Sequence, residues 1–166
     1  MTAMSDAAKM GVMVKGAKYF ESFAMADTIV FDKTGTLTEA QPRLSRVFAT
    51  DGWSEDDVLR FSACLEEHFP HPVARAVVNA AKARGLEHRE RHAAVEYIVA
   101  HGIASSIEGR RAVIGSAHFV FEDEHVLMDP EERERAESEM QGFSPLYLAV
   151  DGEVVGVLGI EDPLKA

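Results

Sequence analysis

The chain has 166 residues, a length that suits one domain or two small ones and that buries a core without disulfide staples. Seventeen basic against 28 acidic side chains leave a net charge of −11, which excludes a broad nucleic-acid or anionic-membrane surface because phosphates would be repelled. A composition of 46% hydrophobic and 27% charged residues fits a globular chain, and the single cysteine excludes an internal disulfide or a Cys-rich metal site.

The first 20 residues, MTAMSDAAKMGVMVKGAKYF, lack the continuous apolar run of a secretory signal. Met4, Met10, Met13 and Met25 read as packing residues of helices or strands. Residues 27–32, DTIVFD, read as a short apolar strand, followed by the turn-prone Gly35 in DKTGTLT and a break near Pro42. Leu44 to Ala49 is a second strand, closed by Asp51-Gly52. Ser54 caps a helix with Glu55, Asp56 and Asp57 in its first turn, where acids suit the positive end of the helix dipole. That helix carries Cys64 as a core filler and stops near Phe69-Pro70. His71-Pro72 opens a second helix, which Gly85 ends.

Val95 to Val99, Ile103 to Ile107 and Arg111 to Ile114 follow as short strands, with Glu108-Gly109 at a hairpin turn. Ser116 to Phe121 is a short helix, and Asp129-Pro130 opens a charged one, EERERAESEM, read as a solvated face. Leu146 to Val150 and Val154 to Ile160 form a hairpin across Asp151-Gly152. No stretch approaches the roughly 20 apolar residues that span a bilayer. The order predicts an α+β class: an antiparallel β-sheet flanked by helices, with the helices on one face, inserted after the first strand of another unit.

The most specific chemical signal is Asp32-Lys33-Thr34-Gly35-Thr36-Leu37-Thr38. A carboxylate at the end of an apolar strand is costly unless it is used, and strand ends are where ligands bind in open α/β sheets. Gly35 allows a sharp turn whose amides can face an anion, and Thr34 and Thr36 add hydroxyls. Such a set suits a carboxylate nucleophile attacking a phosphoryl group, with Mg²⁺ screening the charge.

This run resembles the phosphorylation motif of P-type cation-transporting ATPases, within the haloacid-dehalogenase-like superfamily. The resemblance implies that Asp32 takes the γ-phosphate of ATP, assisted by Lys33, Thr34 and Thr36, with Asp32 and Thr34 forming part of a Mg²⁺ site. Phosphatases of the superfamily usually carry a second aspartate two positions on; here that position is Thr34, which favours a transport-cycle intermediate over hydrolysis.

His71-Pro72, with Glu66 five residues earlier, looks like the Ser-Glu-His-Pro motif of the heavy-metal branch, where the histidine and an upstream glutamate help hold the adenine. Pro70 stands where the family has glutamate, and His68 is a second candidate for the histidine. Gly102, Ile103, Gly109 and Gly115 match the family's nucleotide-domain glycine pattern, whereas Ala100 replaces its first glycine and Ser116 its asparagine. The implied nucleotide-binding set is therefore Glu66, His71, Gly102, Ile103, Gly115 and Ser116.

The resemblance divides the chain into an N-terminal flank and phosphorylation-domain strand (1–38), a nucleotide-binding domain (39–153) and a return segment of a truncated phosphorylation domain (154–166). Within the return segment, Asp162 and Lys165 match an Asp-x-x-Lys pattern. The resemblance implies a cytoplasm-facing piece of a multi-pass membrane protein, which binds ATP with Mg²⁺ without turning it over alone and has no nucleic-acid partner. Its partners would be the rest of the phosphorylation domain, an actuator domain and transmembrane helices. A haloacid-dehalogenase-like phosphatase and a non-catalytic regulatory domain are the alternatives. Among the seven histidines, His88 and His92 are spaced to share a helix face, a weak metal-site pattern.

Overall fold

The computed structural model describes residues 3–86, 96–98 and 102–165. His88, His92, Ala100 and His101 lie outside them, so the metal-site pattern and the first position of the glycine pattern cannot be placed.

Six strands form one antiparallel sheet: β1 (Arg43–Ala49), β2 (Glu96–Ile98), β3 (Gly102–Ile107), β4 (Arg110–Gly115), β5 (Ser144–Val150) and β6 (Glu153–Glu161). Their spatial order is β1-β6-β5-β4-β3-β2. Two hairpin turns set the register. Glu108-Gly109 joins β3 to β4, with Ile107 opposite Arg110, and Asp151-Gly152 joins β5 to β6, with Val150 opposite Glu153. Both turns have positive φ at both central residues, the backbone twist that matches flanking strands.

The helices follow their caps. Helix α3 (Glu55–Glu66) starts where the Ser54 hydroxyl accepts from the Asp57 amide. Helix α4 (Pro72–Ala83) starts at His71, and α5 (Pro130–Glu139) starts where Asp129 accepts from the Glu131 and Glu132 amides. Cys64 is buried in α3, as its helical position suggests.

Side chains alternate across the strands, and both faces of the sheet are covered, not one. On one face α3 and α4 pack Val58, Leu59, Leu65 and Val77 against Ile103, Ala112, Ile114, Leu148 and Leu158. On the other, the wide helical turn His118–Asp123 and α5 pack Phe119, Val120, Ala136 and Met140 against Val113, Tyr147, Ala149 and Val157. The charge run of α5 conceals this contact, because only Ala136 within it is buried, with Met140 at its end. Strands buried on both faces read as apolar runs, as β6 does.

Strand β6 sits inside the sheet, bonded to β1 and β5. The sequence boundary at 153/154 therefore falls at the start of a sheet strand.

Two expectations fail near the N-terminus. Residues 27–32 form no strand, and Ile29, Val30 and Phe31 are 74%, 89% and 62% exposed. An apolar strand needs neighbours to satisfy its backbone and cover its side chains, and none pairs with this segment among the described residues. Met4, Met10, Met13 and Met25 are likewise exposed; helix α1 (Ala3–Lys9) buries only Ala7 and helix α2 (Ala17–Ala24) buries nothing.

Candidate functional site

The aspartate loop is a built turn. Thr34 (φ −77°, ψ 119°) and Gly35 (φ 80°, ψ −14°) occupy the two central positions of a type II turn, and the second of these requires the positive φ that glycine adopts without strain. Asp32 precedes the turn in an extended conformation, and residues 32–37 are all exposed. Of the turn's amides, that of Gly35 donates to the Thr38 hydroxyl (3.1 Å).

Thr38 is the anchor of the loop. It is 2% exposed, and its hydroxyl donates to Asp162 Oδ2 (2.5 Å). Asp162 Oδ1 also accepts from the Gln41 amide (3.2 Å), and Lys165 Nζ donates to the Gly35 carbonyl (2.6 Å). Backbone bonds from Glu39 to Pro163 and from Lys165 to Leu37 complete a short two-stranded clasp around the Thr38–Leu164 bridge. Asp162 and Lys165 are the two fixed residues of the Asp-x-x-Lys pattern. That pattern marked them in the sequence, but their contact with the aspartate loop across the chain was not legible there.

The second group lies where α3 gives way to α4. Glu66 ends α3 and is 7% exposed. Burial alone pushes its carboxyl up to about 7 from an ordinary 4.5, with no charged neighbour contributing. His71 is exposed and caps α4: its Nδ1 accepts from the Val73 amide (3.3 Å), which places the ring proton on Nε2 in the neutral form. The capping role and a purine contact through Nε2 are compatible, because they use different ring nitrogens.

Gly102 and Gly115 face each other across β3 and β4, and Ile103 pairs with Ile114. The need for glycine at 102 is a packing need. A Cβ there would lie 2.1 Å from Phe119 Cδ1 and 2.6 Å from the Ile114 carbonyl oxygen. On the side a Cβ would occupy, the space at this glycine of the implied nucleotide-binding set is filled by the Phe119 ring. Ile103 is buried in the core beneath α3 and α4. Ser116 is exposed, and its hydroxyl accepts from the Phe119 amide (3.3 Å), so it starts the turn that holds that ring.

The structure thus brings Gly102, Ile103, Gly115 and Ser116 together at one end of the β3–β4 hairpin, and Glu66 and His71 to one helix corner. Asp32 and its loop share no hydrogen bond or ion pair with either group among the described residues. No set of three or more His, Cys, Asp or Glu side chains that could hold a metal occurs among the described residues, and no helix there is long and apolar enough to cross a membrane.

Comparison with known proteins agrees with this architecture. Residues 26–166 match the family model of the haloacid dehalogenase-like hydrolases. The chain is 36% identical over 165 residues to a probable copper-exporting P-type ATPase V of Mycobacterium tuberculosis, an alignment that covers 99% of this chain and 21% of that protein. It superposes on a zinc-transporting PIB-type ATPase with a TM-score of 0.68 at 26% identity, covering 98% of this chain and 26% of that one. It also superposes on the N-domain of the copper-transporting P-type ATPase HMA8 with a TM-score of 0.64 at 26% identity, covering 72% of this chain and 99% of that domain. The chain spans about a fifth of the length of the curated relatives it matches.

Proposed function

The chain belongs to the haloacid dehalogenase-like hydrolase family, and from that premise we propose that it is the ATP-binding and phosphate-accepting part of a heavy-metal P-type ATPase. In this reading ATP binds at the insert through Glu66, His71, Gly102, Ile103, Gly115 and Ser116. The γ-phosphate is then carried to Asp32 by closure of one unit on the other. The full-length parent would couple turnover of that aspartyl phosphate to movement of an ion across a membrane, with this part on the cytoplasmic side.

The observation that carries the reading is the Glu66–His71 corner. It holds a buried carboxyl without a partner among the described residues, five positions before a helix-capping imidazole whose Nε2–H is not used by its cap. An acid and an imidazole of this kind suit the polar edge and the face of a purine. The likeness over the whole of an N-domain supports it.

Asp32 is the proposed nucleophile: its carboxylate oxygen would bond to the γ-phosphorus as the bond to the β–γ bridging oxygen breaks, leaving ADP. Lys33 and Thr36 would neutralise and hold the transferred group. Asp32 and Thr34 would hold Mg²⁺ in part, the ion lowering the charge repulsion at the phosphate. Two such ligands fit an ion that keeps several waters and phosphate oxygens, and the remaining protein ligands would come from the rest of the parent.

In domain terms, residues 1–38 would be the flank carrying the nucleophile. The insert would begin at 39 and, because β6 pairs with β1 and β5, would take in that strand up to Glu161. The clasp of residues 37–41 on 162–165 would then join the two units.

Calorimetric titration of the chain with a non-hydrolysable ATP analogue tests the reading. Saturable binding that weakens in His71→Ala supports it, and absence of binding at millimolar analogue contradicts it.

A further inference from the structure

Glu66 is the only acidic or basic side chain that is buried among the described residues. Its carboxyl forms no hydrogen bond or ion pair among them, and burial raises its pKa to about 7. Among the described residues, neither the elements packed on α3 nor the adjacent Glu67 and His68, both exposed, supply a counter-charge. Arg75 and Lys82 of α4, Arg43 and Arg46 of β1, Arg110 and Arg111 of β4, and Glu153 and Glu161 of β6 are all exposed, and β3 carries no charged residue. His71, at the start of α4, has its Nδ1 engaged with the Val73 amide.

A buried carboxyl without a partner is costly unless a ligand completes it. The neutral acid presents one donor and one acceptor; the ionised acid presents acceptors only. Adenine offers a ring nitrogen that accepts, beside an N6 amine that donates. Guanine offers two adjacent donors, N1–H and the N2 amine, and beside them an O6 acceptor.

Resting on the nucleotide-binding reading above, which already sets Glu66 at the adenine, we propose that this buried side chain meets the base as a neutral acid, its hydroxyl donating to a ring nitrogen while its carbonyl oxygen accepts from the N6 amine. Guanine can pair with either form, through O6 and N1–H with the neutral acid and through N1–H and the N2 amine with the carboxylate. Adenine pairs well with the neutral form alone, because an ionised oxygen would face the lone pair of its ring nitrogen. The preference for adenine is therefore set by the proton on Glu66 and declines as that proton is lost.

The test is the ratio of dissociation constants for non-hydrolysable ATP and GTP analogues, measured on the whole chain from pH 5.5 to 8.5. Taking the ratio cancels the titration of the nucleotide phosphates and any common effect of His71. The expected result is a fall of about tenfold in ATP-over-GTP preference as pH rises through 7, the size of one well-made hydrogen bond. Glu66→Gln should keep the preference at its acid value at every pH, because an amide supplies one donor and one acceptor throughout. A ratio that does not change with pH in the wild-type chain, or one that changes equally in Glu66→Gln, overturns the inference while leaving nucleotide binding in place. Failure of both nucleotides to bind at any pH overturns the nucleotide reading and this inference together.

Discussion

Thr38 and Asp162, separated by 124 positions, meet through a hydroxyl–carboxylate hydrogen bond of 2.5 Å that ties the aspartate loop to the far end of the sheet. Thr38 is 2% exposed and also accepts from the Gly35 amide, so one side chain fixes the type II turn and its attachment. The Asp32 loop is held in shape from behind, while Asp32 itself is exposed.

Replacing Thr38 with valine should therefore loosen the loop. The Gly35 amide and one Asp162 oxygen lose their partner in part-buried bonds, which costs about 1 kcal/mol. Amide hydrogen exchange at Thr38, Glu39 and Lys165, whose backbone bonds form the clasp, should accelerate, while the amides of β4 and β5 keep their protection.

Gly102→Ala should destabilise the sheet by about 1–3 kcal/mol or more, because the new methyl collides with the Phe119 ring and the Ile114 carbonyl. Urea denaturation measures this. Trimming the ring in the double variant with Phe119→Leu should recover part of the loss relative to the two single changes added together.

His71 is expected to serve two ends, which two substitutions separate. His71→Ala removes the cap on the Val73 amide, at about 1 kcal/mol of stability, and also the imidazole. His71→Asn keeps a good capping side chain and loses only the ring. Both should weaken binding of an ATP analogue by several-fold, but only the alanine variant should show a lower urea midpoint.

Glu66 should make stability fall with pH. Its carboxyl titrates near 7 in the folded chain against 4.5 ordinarily, so the folded state holds the extra proton between those values. The stabilisation is complete below about pH 4.5, declines as pH rises from there to about 7, and is lost above, a change on the order of 3 kcal/mol. Glu66→Gln should flatten this slope and be the more stable protein at pH 8, as read from urea midpoints at pH 5 and pH 8.

The elements that rest on local chemistry were legible in the sequence. Ser54, His71-Pro72 and Asp129-Pro130 each start a helix, and the turns at Glu108-Gly109 and Asp151-Gly152 join strands in register. What depends on distant partners was not. The DTIVFD run has the composition of a strand, but pairing needs a neighbour, and Val30 stands 89% exposed. The second helical layer was hidden because α5 meets the sheet through Ala136 and Met140 inside a stretch that otherwise reads as solvated. Within the candidate site, Asp32, Glu66 and His71 could be singled out by motif. The burial of Glu66 and the clasp of Thr38 by Asp162 could not, since each is a property of packing between segments remote in sequence. Gly102 could be marked by motif as a nucleotide-domain glycine, but the Phe119 ring that a Cβ there would meet was not legible.

The most direct measurement is an amide NMR titration of the chain with a non-hydrolysable ATP analogue, with His71→Asn as the control. Saturable shifts centred on Glu66, His71, Gly102 and Gly115, reduced in the variant and small at Thr38, are the result expected of a nucleotide site on the insert. Shifts absent at millimolar analogue, or centred on the 33–38 loop and unchanged in the variant, would contradict it.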